Sequence, residues 1–293
     1  MLQQTQVKTA TPYFKNFIKK YPTQKKLSEA SEDQILALWS GLGFYRRARN
    51  IFKTKEIIKE KYNNRFPKEF HQLLELPGIG KSTAGAIMSL AYQNPHPILD
   101  GNVKRVITRL VNKNIDLLKE SQLWDLSSQF VNKENCFAYT QGIMDLGATV
   151  CTPTNPSCKD CPVQNQCMSA FNIINNKKRN VAQLKKVIPM NLSLIQTEDS
   201  LLLVKNEASS IWKNLWIPFE SRSLECYTNS FQLTSSQKIQ HELTHRRLNI
   251  KLNTYISTNE SKIKTNKKYK WIKKDRINEY GLPKPISKVI NEL

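Results

Sequence analysis

The sequence contains no apolar run of the roughly eighteen or more residues that a bilayer-crossing helix needs, so no transmembrane helix is expected. The opening residues, MLQQTQVKTA, lack the apolar centre of a secretory signal. Both absences point to a reducing cytoplasm, where a framework of disulfides is not expected. Acidic residues are scarce. Asp and Glu number 24 against 45 Lys and Arg, which leaves a formal charge of +21 and a pI of about 9.7. A richness in Lys, Asn and Ile accounts for part of that excess. The rest suits a polyanionic partner, most simply nucleic acid. No long internal repeat is visible.

What is there divides by its periodicity. Up to about residue 150 the apolar positions recur at helical spacing, as in DQILALWSGLGFYRRARNIFKTKEIIKE and CFAYTQGIMDLGATVC. Gly and Pro mark the turns: YPT, GLG, LPGIG and NPHP. After a polar, basic stretch (FNIINNKKRNVAQLKKV) come short alternating runs, MNLSLIQ, SLLLVK and RRLNIKLNTYIS, which read as strands. The tail PISKVINEL reads as a short helix, and SKIKTNKKYKWIKKDR as a charged surface rather than a fold element. The expected architecture is a mainly α N-terminal domain over 1–170 that carries a metal loop, a linker over 171–187 and a smaller α+β domain over 188–293.

The metal loop is a cysteine cluster. Four of the six cysteines lie in CTPTNPSCKDCPVQNQC, as Cys151, Cys158, Cys161 and Cys167, at spacings C-x6-C-x2-C-x5-C. A structural zinc site ordinarily takes its ligands as two pairs on separate turns. Here all four come from one loop stiffened by Pro153, Pro156 and Pro162, which suits a [4Fe-4S] cluster held by four thiolates, with zinc as the alternative. Cys136 falls in an apolar helical stretch and reads as a core residue.

Two further stretches carry chemistry. LPGIG stands between two helical segments, PKEFHQLLE and KSTAGAIMSLAY. Glycines at 78 and 80 permit a tight turn whose N–H groups face a phosphate, a helix-hairpin-helix pattern that grips DNA backbone without reading sequence; an ordinary helical hairpin is the plain alternative. ILDGNVKRVITRL then places Asp100 just before an amphipathic helix with Val103, Val106, Ile107 and Leu110 on its apolar side. Asp100 either caps that helix or presents a carboxylate to a cleft.

In this order, LPGIG, LDGNVKRV and C-x6-C-x2-C-x5-C resemble the helix-hairpin-helix, iron–sulfur DNA glycosylases, and within them the adenine-specific branch. MLQQTQV, GLGFYRRARN and MDLGATVC add to the match, which is dense over 1–170 and thin after 188. The resemblance implies base-excision repair: hydrolysis of the bond between sugar and adenine mispaired with 8-oxoguanine or guanine in double-stranded DNA. It implies a monomer, bacterial and cytoplasmic, associated with the nucleoid. Asp100 would face the sugar. The proton donor would be a glutamate two residues before the Met of MLQQTQV, upstream of Met1, and a start assigned too far downstream is the expected reason. Leu2, Gln4 and Thr5 would lie at the lesion. Phe44 or Tyr45 would wedge into the base stack, or simply pack in the core. Arg46, Arg47 and Arg49 would meet phosphates or water. Gly78, Gly80, Lys81 and Ser82 would line the DNA-binding hairpin. Ser82 stands where the related endonuclease III enzymes carry a nucleophilic lysine, and Lys81 is turned by about 100° along the helix, so a lyase is disfavoured. A DNA-binding relic without catalysis is the third reading.

His241–His245 reads HELTH and satisfies H-E-x-x-H, a zinc-protease pattern when it lies on a helix. The strand-like RRLNIKLNTYIS that follows, and the absence of a downstream histidine, argue against it. By the same resemblance the segment matches a loop of a Nudix-like C-terminal domain, with Thr244 and His245 at the oxidised guanine and Leu243 where the family usually has Phe. No glutamate-rich Nudix hydrolase box is present, so nucleotide hydrolysis is not expected.

Overall fold

The computed structural model describes residues 1–172, 185–207, 211–221, 231–257 and 268–293. Most of the expected linker, and Cys226, lie outside the described residues. Contacts divide the chain into two compact units, one of Met1–Lys59 with Val181–Leu293, the other of Glu60–Asn180. Among the described residues no helix is long and apolar enough to cross a membrane.

The first unit opens with α1 (Val7–Lys20), α2 (Gln24–Ser28), α3 (Glu32–Leu38) and the start of α4 (Arg46–Tyr62). Ser31 begins α3 with a reciprocal capping box: its hydroxyl accepts from Gln34 N–H and the Gln34 side chain accepts from Ser31 N–H. The second unit continues with α5 (Phe70–Leu74), α6 (Lys81–Tyr92), α7 (Gly101–Leu110), α8 (Glu120–Phe130) and α9 (Cys136–Asp145), the last running into a π-type turn at Leu146–Val150. Its core gathers Ile98, Val103, Val106, Ile107, Leu123, Leu126 and Ile143. Cys136 is buried at the start of α9, as its apolar surroundings in the sequence imply.

The strands return the chain to the first unit: β1 (Lys186–Gln196), β2 (Ser200–Lys205), β3 (Trp216–Ile217), β4 (Phe219–Glu220), β5 (Gln232–Glu242), β6 (Arg246–Ile256) and β7 (Tyr269–Lys273), followed by α10 (Lys284–Ile290). The sheet runs β3-β2-β1-β6-β5, with β4 on β1 and β7 on β2. β1 and β6 pair in parallel over their whole length, and β5 and β6 form an antiparallel hairpin with an irregularity at Leu233/Ser235. The sequence reading is corrected at β7. Tyr269–Lys273 is a strand rather than a free charged surface, because Trp271 and Ile272 pair with Leu202 and Leu201. Lys270 and Lys273 are exposed, one on each face of the strand, while Ile272 between them is buried.

One apolar core joins the two ends of the chain. Phe17, Ile35, Leu36 and Trp39 belong to the same cluster as Leu192, Leu194, Leu201, Leu203, Leu248 and Ile286. Around it, acids of the first turn of α3 grip the sheet. Lys205 Nζ lies 3.0 Å from Asp33 Oδ1, Trp216 Nε1–H donates to the same oxygen at 3.1 Å, and Asn214 donates to Glu32 at 2.8 Å. Gly281 allows the close approach, since a Cβ there would come within 2.6 Å of the Leu36 Cβ. Grouping by contact therefore departs from chain order at residues 1–59.

In the second unit, Gly85 of α6 lies against the segment leading to Asp100, and a Cβ there would sit 2.3 Å from the Pro97 carbonyl oxygen. Backbone cannot give way as a side-chain end does. Gly85→Ala is expected to cost about 1–3 kcal/mol, read as a lower urea midpoint at unchanged slope. An unshifted midpoint would show that α6 slides freely on this segment.

Candidate active site and cysteine loop

In the second unit, the LPGIG stretch is the turn from α5 to α6. Leu76 and Ile79 N–H donate to Leu73 and Leu76 carbonyls, and Gly78 has φ +85°, a left-handed conformation that glycine adopts without Cβ strain. Gly80 is the N-cap of α6, and no side chain caps that helix start. A Cβ at Gly80 would meet nothing within 4 Å, so the turn is open on that side. This is the geometry in which the partial positive end of a helix receives a phosphate. Lys81 is exposed, with Nζ 4.2 Å from the centroid of the Trp124 ring. The Ser82 hydroxyl accepts from Leu99 N–H at 2.9 Å, which ties α6 to the residue before Asp100.

Asp100 fills the capping role open to it in sequence. It is the N-cap of α7, where Oδ1 accepts from Val103 N–H at 2.8 Å, and it is exposed. The cap fixes the carboxyl group, and one oxygen is outside that bond. α7 then reaches the cysteine loop through two arginines that sequence reasoning passed over. Arg105 Nε donates to the Cys151 carbonyl at 2.7 Å, and its Nη2 donates to the Gly147 carbonyl at 2.6 Å and to Asn102 Oδ1 at 2.8 Å. Arg109 donates to the carbonyls of Thr152 and Pro153 at 2.8 and 2.9 Å, and to Cys151 Sγ at 3.3 Å. The signal available in sequence was their spacing of four, which puts both on one helix face. One helix thus carries the carboxylate at its start and clasps the cysteine loop along its side.

Cys151, Cys158, Cys161 and Cys167 line one pocket, together with Arg109, Val150, Pro156 and Ala170 among others. Burial pushes the Cys167 thiol up, and the other three cysteines push it the same way, an effect that requires them to stand near it. Among the described residues, no three His, Cys, Asp or Glu side chains close on a point that would hold a single metal ion. The donor set itself, four sulfurs around one pocket with an arginine N–H directed at one of them, is that of a thiolate-bound group.

In the first unit, Thr5 N–H donates to the Leu2 carbonyl at 3.2 Å, closing a turn in which Gln4 has φ +57°; Leu2 and Gln4 are exposed and Thr5 half-buried. Phe44 also takes a left-handed conformation, φ +49°, with its side chain 45% exposed. Tyr45 differs. It packs on the core, and its hydroxyl donates to the Leu282 carbonyl at 3.1 Å and accepts from Gly41 N–H at 3.1 Å. Arg47 holds the two loops together. Its Nη1 donates to the Met1 carbonyl and, at 2.7 Å, to that of Gln3, its Nη2 donates to the Gly43 carbonyl at 3.2 Å, and it lies over the rings of Trp39 and Phe44. Arg49 donates to the Lys213 carbonyl at 2.9 Å. Of the three arginines, Arg46 is exposed while the other two are committed within the protein.

HELTH lies on a hairpin, not a helix. His241 and Glu242 end β5 opposite Leu248 and Arg247, Leu243 N–H donates to the Arg246 carbonyl at 2.8 Å, and Thr244 and His245 form the exposed tip. On a strand, side chains at i and i+1 point to opposite faces, so the helical metal-binding reading of H-E-x-x-H has no support here.

The family described as HhH-GPD superfamily base excision DNA repair protein matches residues 1–123, and the NUDIX domain family matches residues 191–292. The adenine DNA glycosylase of Buchnera aphidicola subsp. Schizaphis graminum is 38% identical over 309 residues, covering 99% of this chain and 88% of that protein. Among solved structures, a thermostable thymine-DNA glycosylase matches with a TM-score of 0.54 at 26% identity, over 59% of this chain and 81% of that one. A trapped endonuclease III–DNA covalent intermediate matches with a TM-score of 0.50 at 25% identity, over 57% and 79%. With a helical helix-hairpin-helix domain, a Nudix-like α+β domain and a relative of this identity along nearly its whole length, the chain belongs to the adenine DNA glycosylases, hydrolases of base-excision repair.

Proposed function

We propose that this glycosylase acts on double-stranded DNA and releases adenine paired with 8-oxoguanine, or with guanine, with Asp100 as the carboxylate beside the sugar. The observation that carries this reading is the exposed, capped carboxyl at the start of α7. Adenine leaves poorly as an anion, so its departure needs a proton and leaves positive charge on the sugar. A carboxylate fixed before the reaction stabilises that charge without reorganising. The open turn at Gly78 and Gly80 and the +21 charge support backbone binding. Phe44, exposed and held left-handed, is the wedge that unstacks the duplex as the base is extruded, with Leu2, Gln4 and Thr5 at the lesion. The hairpin tip Thr244–His245 would read the oxidised guanine.

A lyase reading fares worse. Ser82 has no amine, and the Lys81 amine stands over Trp124. Borohydride treatment of the enzyme on abasic or mispaired DNA should trap no Lys81-dependent adduct.

Cys151, Cys158, Cys161 and Cys167 would hold a [4Fe-4S] cluster in the pocket they line. Four thiolates on a single zinc ion, with Zn–S near 2.3 Å, converge on one point. A cluster takes one thiolate on each of its irons. With all its irons bound to thiolates, the group supplies a structural hub rather than a site for water.

Substrate choice is tested by competition. Affinity for a duplex with 8-oxoguanine opposite adenine should exceed that for the same duplex with thymine opposite adenine. Thr244→Ala with His245→Ala should lower the preference for 8-oxoguanine over guanine by about tenfold, as loss of a good base contact does. An unchanged preference would move recognition of the oxidised base elsewhere.

A further inference from the structure

Two hydroxyls from the loop that carries Phe44 end on one carbonyl near the other end of the chain. Ser40 Oγ donates to the Leu282 oxygen at 2.8 Å and Tyr45 Oη donates to the same oxygen at 3.1 Å. Tyr45 also accepts from Gly41 N–H, so its hydroxyl closes the GLGFY loop on itself while fastening it to residue 282. Within the loop, Trp39 Nε1–H and Arg47 Nη2 both donate to the Gly43 carbonyl, at 3.0 and 3.2 Å. The Leu282 carbonyl is itself well placed. The preceding Gly281 accepts from Trp216 N–H at 2.9 Å, which pins the segment to β3, and Pro283 N-caps α10. Between these fixed points stands Phe44, in a left-handed backbone conformation that is unfavourable for a non-glycine residue and persists only if its surroundings impose it.

We propose that Tyr45 is a positioning residue, and that through it and Ser40 the Gly281–Pro283 segment of the Nudix-like domain sets the conformation of the Phe44 loop. The C-terminal domain would then act on base extrusion as well as on reading the opposite base. This rests on Phe44 being the wedge. It deepens that reading by assigning a source to the loop's geometry. Burial pushes the Tyr45 hydroxyl up from its ordinary range, which favours its protonated, donating form.

The test uses the full chain and a duplex with adenine opposite 8-oxoguanine and 2-aminopurine as the neighbouring base. The fluorescence of 2-aminopurine rises when its stacking is broken. Phe44→Ala should abolish the rise that follows binding. Tyr45→Phe, which keeps the ring and removes only the hydroxyl, should lower the ratio of inserted to uninserted complex about 3- to 10-fold, the usual worth of one net hydrogen bond. Ser40→Ala should act in the same direction and decides the matter if Tyr45→Phe does not fold. Tyr45→Phe added to Phe44→Ala should change nothing further, because its effect passes through Phe44. If Phe44→Ala loses the signal while Tyr45→Phe and Ser40→Ala keep it, the positioning role is overturned and the wedge stands. If Phe44→Ala keeps the signal, the wedge falls and the positioning role with it. A loss of DNA affinity in the double variant beyond that of Phe44→Ala alone would likewise overturn it, since Tyr45 would then be acting on general stability.

Discussion

Asp100→Asn, measured in protein that carries the proton-donating glutamate which the family resemblance places before Met1, is expected to slow single-turnover release of adenine by about 100- to 1,000-fold, the usual loss when one preorganised electrostatic contact to a developing charge is removed. The choice of asparagine matters because of the cap. Asp100 Oδ1 accepts from Val103 N–H at the start of α7, and an asparagine oxygen accepts the same bond. The helix start and its arginine clasp on the cysteine loop should therefore survive, while the charge beside the sugar is lost. DNA affinity should stay within about threefold, since binding draws mainly on phosphate neutralisation. Asp100→Ala removes charge and cap together and should cost about 1 kcal/mol of stability in addition. A rate for the asparagine variant within tenfold of the parent would move the catalytic carboxylate elsewhere.

Loss of a loop cysteine should be as large an effect, read on stability. Residues Cys151–Cys167 contain two short 3-10 turns, Cys158–Asp160 and Gln164–Gln166, and are held beyond them by Arg105 and Arg109 and by a few backbone bonds, such as Ser157 N–H to the Val150 carbonyl. A loop with so little internal structure depends on what its thiolates bind, and the binding energy of that group is then folding energy. Purified protein should be brown with about four irons per chain. Cys161→Ser should lose both iron and colour, and Glu60–Asn180 should unfold at a clearly lower urea concentration. A colourless parent carrying one zinc per chain would end the iron–sulfur assignment. A Cys161→Ser protein with unchanged iron would remove that residue from the ligand set.

The parts that were legible in sequence are those whose physics is local. A glycine turn between helices, an Asp before an amphipathic run and four cysteines in one loop declare themselves within a few residues. β1, β2 and β6 were visible through alternation. β5 was hidden because QLTSSQKIQHE is polar on nearly every position, as an edge strand with little buried surface allows. β7 was hidden by its lysines. Tyr45 and Phe44 read as equivalent neighbours, and only the bond from Tyr45 to a carbonyl 237 residues away separates the buried ring from the exposed one. Arg47 looked like a surface cation for the same reason, since its acceptors at Met1 and Gln3 belong to a turn more than 40 residues earlier. No periodicity records such pairings.

The core that Ile35, Leu36 and Trp39 share with Leu192, Leu248 and Ile286 also bears on how the chain is made. A ribosome adds about 5–20 residues per second. The first four helices emerge early, but the strands that cover their apolar face follow only after Glu60–Asn180. For about 10–50 s, by that rate, the face of α3 has no native partner, while Glu60–Asn180 already has its whole sequence to hand and can fold between them. The nascent chain is thus at its most aggregation-prone just when half of it is native. Its yield in the cell should depend on chaperones that hold unfolded chain more steeply than its finished stability would suggest.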